Sequence, residues 1–207
     1  MTVLFLVSCS NRSSVYGIYK QLEKVALLEK SFEQEQSPLV ELEGKEKKIY
    51  SSILTLGTGD TEKRKDLARA AQRTLQEREQ HLQKERTSLL KAKQIFHHIP
   101  TSVAKITDQK LKKRGEEVTN MMEKRYRMYE QLYSQYQEAL QRDRQLYDLL
   151  KSEVVSFDEM KRSIADINQQ YDKVLQYNKL FNRYTVQYNK KKRQFYKQAG
   201  LNVRIER

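Results

Sequence analysis

Residues 74–96 read TLQEREQHLQKERTSLLKAKQIF, and within them Leu75, Leu82, Leu89 and Phe96 return every seven residues. An α-helix completes a turn in about 3.6 residues, so this repeat lays the four side chains along one narrow seam of a helix. A strand, with its period of two, cannot hold that spacing on one face. Leu67, Ala71, Ala92 and Ile99 extend the seam, while Arg78 and Glu85 stand at seam positions between the leucines. The seam is thin and partly polar, like that of a coiled coil, and such a helix must find its cover in other helices.

The pattern continues on both sides. Upstream, Ile18, Leu22, Val25, Leu28, Phe32, Leu39, Leu42, Ile49, Ile53 and Leu56 mark a helix that starts near Ser14. It closes at Leu56-Gly57-Thr58-Gly59-Asp60, the clearest turn in the chain. Ser37-Pro38 sits inside this helix, and because the stripe resumes in phase a kink is expected there rather than a fresh start. Downstream, His98-Ile99-Pro100 marks a break, and Val103 and Ile106 form at most a short helical turn. A third stripe follows at Val118, Met122, Tyr129, Leu132, Tyr136, Ala139, Leu146 and Leu150, interrupted by Arg125 and Asp143. Ser156-Phe157-Asp158-Glu159 reads as a capping box. It opens a fourth stripe of Phe157, Met160, Ile164, Ile167, Tyr171, Val174, Phe181, Tyr188 and Phe195, which Gly200 closes.

Four amphipathic segments of roughly 40 residues, each about 60 Å long as a helix, predict an all-α fold. The expected architecture is an elongated four-helix up-and-down antiparallel bundle over residues 15–200. Three long helices with a kinked middle helix are the alternative if Pro100 only bends the chain. Composition agrees: six Gly and two Pro in 207 residues are too few for the turns of an all-β or doubly wound protein. A single Cys excludes a disulfide framework and a Cys-built zinc site. No apolar run approaches the roughly 18 residues a membrane-spanning helix needs.

Chemistry-bearing constellations are scarce. His81, His97 and His98 are the only imidazoles, and adjacent residues on a helix diverge by about 100°, so His97 and His98 cannot share a metal without outside ligands. There is no phosphate-binding Gly loop, nucleophile elbow or CxxC. The many carboxylates have the spacing of salt-bridge partners on helix surfaces. The reading is therefore of a protein that is not an enzyme and takes no metal or cofactor.

Charge is uneven. The net charge is +13, from 40 Lys and Arg against 27 Asp and Glu, and between Lys173 and Arg204 nine basic residues occur without one acid. Lys179, Arg183, Lys190, Lys191, Lys192, Arg193 and Lys197 are the candidate anion-binding residues, followed by a basic tail at 201–207. Ten of the thirteen tyrosines fall between Tyr126 and Tyr196, where they widen the boundary of a narrow bundle core, rings inside and hydroxyls wet. Tyr133, Tyr147, Tyr177, Tyr184 and Tyr196 lie off the stripes.

The one sustained apolar run, Val3-Leu4-Phe5-Leu6-Val7, ends at Ser8-Cys9-Ser10. Leu6, Val7 and Ser8 before Cys9 satisfy a lipobox: an aliphatic residue, a small residue at the scissile bond, and a thiol that accepts a diacylglyceryl group. Two acyl chains at about 0.8 kcal/mol per buried CH₂ give stable attachment. Residues 1–8 then read as part of a lipoprotein signal peptide, whose missing basic start suggests a longer leader, and residues 9–14 as the lipidated Cys and a polar tether.

In Leu6-Val7-Ser8-Cys9, in FEQEQSPLVELEGKEKKIYSSILTLG at 32–57, and in the character of its Lys- and Tyr-rich C-terminal half, the chain resembles the YkyA-type family, Gram-positive surface lipoproteins labelled as cell-wall binding. The resemblance implies a four-helix up-and-down bundle, lipid attachment at Cys9 and a place on the extracytoplasmic face of the cell membrane. Outside such a membrane the available polyanions are teichoic acids and anionic lipid headgroups; other surface proteins are alternative partners, and no nucleic acid is expected.

Overall fold

The computed structural model describes residues 6–56 and 60–201, with side chains from residue 14 onward. Five helices account for the described elements: α1 (Leu6–Leu56), α2 (Thr61–Phe96), α3 (Ile99–Ala104), α4 (Gln109–Leu150) and α5 (Phe157–Gln198). The long helices α1, α2, α4 and α5 form an all-α four-helix bundle, and no strand occurs among the described residues. The four-segment reading holds, and the alternative of three long helices falls. Pro100 sits in the first turn of the short helix α3, where its missing N–H costs nothing, so it starts a helix instead of bending one. α1 runs through Pro38 unbroken, which is why the stripe stays in phase across it.

Helix ends follow from local chemistry. Asp60 Oδ1 accepts the Lys63 N–H at 3.0 Å and Asp108 Oδ1 accepts the Leu111 N–H at 2.9 Å, so an Asp caps α2 and α4. Ser156 Oγ accepts the Glu159 N–H at 3.4 Å at the start of α5. Gly200, at φ 69°, ends it: the Leu201 N–H reaches the Tyr196 carbonyl at 3.0 Å and the Gly200 N–H the Lys197 carbonyl at 3.2 Å, the paired bonds of a Schellman motif. The turn expected at Gly57–Gly59 lies outside the described residues.

The chain forms two compact units, each taking a length of all four long helices. The first comprises residues 1–30, 88–129 and 179–207 and contains α3; the second comprises 31–87 and 130–178. In the second unit Arg64 Nε meets the Leu150 carbonyl at 3.1 Å and Arg86 meets Glu130 at 3.2 Å, so α2 and α4 run antiparallel. Leu75, Leu82, Leu140, Leu146, Leu150 and Val174 form its core with Ala68, Ala71 and Ala139, small enough to let helices approach. In the first unit Ile18, Leu22, Leu89, Val118 and Phe195 are buried. There α3 lies against α4 at Gly115, where an added Cβ would stand 2.7 Å from Val103 Cγ1 and 3.5 Å from the Phe195 ring.

Most stripe positions are buried, with two kinds of departure. Phe157 is 71% exposed. Helical side chains lean toward the helix N-terminus, and the first residue of α5 has no preceding turn to lean on. Tyr147 and Tyr196, off the stripes, are buried at 3% and 2%. What draws them in is polar: Tyr147 donates to Glu46 at 3.0 Å and Tyr196 to Glu23 at 2.7 Å.

Candidate functional site

The seam residues that broke the apolar pattern build two buried polar layers. In the second unit Arg78, 2% exposed, reaches three helices. Its guanidinium bonds Glu46 of α1, donates to the Tyr136 hydroxyl of α4 at 2.6 Å and to the Tyr171 hydroxyl of α5 at 3.0 Å, and stands 3.8 Å from Asp143. Tyr171 donates in turn to Asp143 at 2.6 Å, and Tyr136 bonds Glu43. One cation thus faces two buried carboxylates, Glu46 and Asp143, with the partly exposed Glu43 at the edge of the layer. Burial, with Glu46 beside it, pushes the Asp143 carboxyl up to about 7, and burial also raises Glu46 against the pull of Arg78. The layer holds a proton near neutrality.

In the first unit Arg125, 3% exposed, plays the same part. It pairs with Glu29 at 2.7 Å, donates to Thr185 Oγ1 at 2.9 Å and lies 4.8 Å over the Phe181 ring. Tyr126 bonds the same Glu29 at 3.3 Å. The Ser88 hydroxyl donates to the Leu28 carbonyl at 2.6 Å, tying α2 to α1. Arg78, Glu46 and Asp143 of one layer and Arg125 and Glu29 of the other are buried between the helices they tie together. A groove between α2 and α4 in the second unit is open to solvent, and charged groups on its walls are paired, Arg144 with Glu79 at 3.0 Å and Arg86 with Glu130 at 3.2 Å. No group of three or more His, Cys, Asp or Glu able to hold a metal occurs among the described residues. His97 and His98 are exposed, their rings 5.6 Å apart and edge to face.

The seven candidate anion-binding residues divide. Lys191 is half-buried and paired with Glu117 at 3.0 Å; Lys192 is half-buried, 3.5 Å from Glu23 and over the Tyr188 and Tyr196 rings. Both are occupied in holding α5 to α4 and α1. Lys179, Arg183, Lys190, Arg193 and Lys197 are exposed. Their spacing of four, seven, three and four residues places them within an arc of about 80° along about 27 Å of helix. The seven-residue run seen in the sequence is therefore a five-residue stripe plus two interhelical ties.

A wider asymmetry becomes visible once the units are known. The first unit carries 23 Lys and Arg against seven Asp and Glu, a net charge of +16; the second carries 17 against 20, a net charge of −3. The whole excess of positive charge resides in the unit that contains the start of α1 and the end of α5. The cluster Lys105, Lys110, Lys112, Lys113 and Arg114 contributes to it and was legible in the sequence as a local run. Which carboxylates Arg78 meets was not legible, because the register between helices distant in sequence is set by packing.

α1 is described from Leu6, so the backbone of Leu6, Val7, Ser8 and Cys9, the residues read above as a lipobox, is helical; their side chains lie outside the described residues, as does the tail from 202. No described helix is long and apolar enough to cross a membrane.

Comparison with known proteins places the chain. It is 35% identical over 201 residues to the "Uncharacterized lipoprotein YkyA" of Bacillus subtilis (strain 168), covering 97% of this chain and 90% of that protein. Its fold is similar to a crystal structure of a conserved protein of unknown function from Staphylococcus aureus, with a TM-score of 0.81 at 16% identity, covering 94% of this chain and 97% of the other. Residues 13–198 match the family whose description reads "Putative cell-wall binding lipoprotein". With a family match over nearly all of its helices and a lipoprotein relative aligned almost end to end, the chain belongs to the YkyA family of cell-surface lipoproteins.

Proposed function

We propose that the protein is held on the outer face of the cell membrane by a diacylglyceryl thioether on Cys9, and that the exposed cations of α5 hold anionic polymers of the wall, teichoic acids being the chemical type that fits. The observation that carries this reading is the α5 stripe: Lys179, Arg183, Lys190, Arg193 and Lys197, exposed on one arc, with no acid anywhere between Lys173 and Arg204. A row of point charges at helical spacing engages a phosphate chain without reading its sequence, and the attraction weakens as salt screens it. The family's lipoprotein description supports the address, and Leu6-Val7-Ser8 before Cys9 supports the attachment point.

Two measurements test it. Labelled palmitate should enter the intact chain and not the Cys9→Ala variant; no label in either form removes the anchor. The purified protein should be retained by cell walls and lose retention when the walls are stripped of teichoic acids or when the five stripe residues are changed to Gln. Equal retention by stripped and intact walls removes the polyanion. Val186, 67% exposed within the same arc, favours one second reading, in which a surface protein lies along α5. That reading expects retention to survive stripping and to fall with Val186→Ser.

A further inference from the structure

Residues 105–114, KITDQKLKKR, cross the corner between α3 and α4 with five basic residues and one acid. The acid, Asp108, turns its carboxylate to the Leu111 N–H as the cap of α4, and Arg114 is tied to Glu117 at 2.9 Å. Lys105, Lys110 and Lys113 are exposed and Lys112 half-buried, and none of these four lysines enters an ion pair among the described residues. The acids next along α4 are Glu116, which is exposed, and Glu117, which is held by Arg114 and Lys191. The α5 stripe lies on another helix and shares no residue with this corner.

The position of the corner gives it meaning. Glu29 and Arg125 pin α1 to α4 at 2.7 Å. Gln109, the first residue of α4, stands 16 residues before Arg125, and Ser13 stands 16 residues before Glu29. In an up-and-down bundle α1 and α4 run parallel, so the Lys-rich start of α4 comes level with Ser13. Cys9 is four residues further along α1, about 6 Å of helix. On the same end of α1, Tyr16 is 50% exposed, stacked on Tyr19 at 6.0 Å, with the Lys20 ammonium 4.8 Å from its ring. A half-exposed Tyr flanked by Lys is the side-chain pair that settles at a headgroup layer, ring toward the acyl chains and charge toward water.

We propose that the α3–α4 corner of the first unit, Lys105, Lys110, Lys112 and Lys113, is a membrane-facing surface that binds the anionic phospholipid headgroups around the anchor. This rests on the reading of Cys9 as the lipidated residue, which brings the bilayer to this end of α1. Each cation near an anionic bilayer raises partition roughly fivefold, so four acting together set which face of the unit lies against the membrane.

The test uses the full chain carrying Cys9→Ser, which removes the lipid, and sedimentation with vesicles of phosphatidylglycerol and phosphatidylcholine in equal parts or of phosphatidylcholine alone. The phosphatidylcholine arm reads whatever the apolar leader contributes. Binding to the anionic vesicles is expected to exceed that background. Changing Lys105, Lys110, Lys112 and Lys113 to Gln should lower it roughly a hundredfold or more, with the circular dichroism spectrum unchanged, while the five-residue α5 stripe variant should stay within about fivefold of the parent. Unchanged vesicle binding by the corner variant overturns the proposal. So does a stripe variant that loses as much, or a corner variant that loses retention on purified walls while keeping its vesicles. Lysine-dependent vesicle binding in a protein that takes no palmitate in cells would sink the anchor and spare this surface; lipidation without lysine dependence does the reverse.

Discussion

Arg78 and Asp143 show how a charged residue comes to sit on an apolar seam. Burying a guanidinium is costly, and Arg78 is tolerated because Glu46, Tyr136 and Tyr171 meet its N–H groups from three other helices. Removing one member of such a layer leaves the rest buried and unpaired. Arg78→Ala is therefore expected to destabilise by about 3–5 kcal/mol and lower Tm by about 6–20 °C. Arg69→Ala, which deletes an exposed pair with Asp66, should cost under about 0.5 kcal/mol. Thermal melts of the two variants that coincide would show the layer contributes nothing. The layer also gives the fold a pH dependence. Asp143 titrates at about 7 in the folded protein and at about 3.9 in the unfolded chain. Between those values the native state binds the extra proton, so its stabilising contribution is full below pH 4 and is lost as pH rises through 7. Chemical denaturation at pH 5.5 and 8 should find the parent less stable at the higher pH by on the order of 2 kcal/mol, and Asp143→Asn should flatten that difference. A variant with the parent's slope would place the proton elsewhere.

At the scale of elements, heptads and caps were readable because both are local. Leu75, Leu82, Leu89 and Phe96 are all buried, and Ser156 bonds the Glu159 N–H as the capping pattern implied. The buried Tyr147 and Tyr196 were not readable, because their reason for burial is a carboxylate more than a hundred residues away in sequence. The same limit hid the division of the basic run: Lys191 and Lys192 differ from their neighbours only through Glu117 and Glu23 on other helices. The α3–α4 contact was equally hidden, since nothing near Gly115 signals that Val103 will press on it. Gly115→Ala must push Val103 aside and is expected to destabilise by about 1–3 kcal/mol. Gly44→Ala, on an exposed turn of α1 with open space around it, should stabilise by about 0.5–1 kcal/mol. Adding Val103→Ala should restore most of the Gly115→Ala loss. Melting curves of the three variants check this, and a Gly115→Ala protein as stable as the parent would mean α3 is not packed there as described.

At the scale of the whole molecule, the charge on one unit separates two explanations of the wall retention proposed above. If retention follows net charge, any lysine serves equally; if it follows a site, position decides. Changing Lys179, Arg183, Lys190, Arg193 and Lys197 to Gln lowers the net charge from +13 to +8. Changing Lys47, Lys48, Lys63, Lys84 and Lys161, all exposed in the second unit, lowers it by the same amount. The second unit is already slightly acidic, and in physiological salt an exposed charge acts over only about 8 Å. The second variant is therefore expected to bind walls within about threefold of the parent, and the first to lose most of its retention. Salt sharpens the comparison. Five phosphate contacts release up to about four counterions, so the parent's affinity should fall by up to roughly 250-fold between 50 and 200 mM salt. The stripe variant should show a clearly shallower slope, because it has fewer counterions left to displace. Two variants with the same affinity and the same slope would assign retention to bulk charge, and the stripe on α5 would then be only a solubilising face.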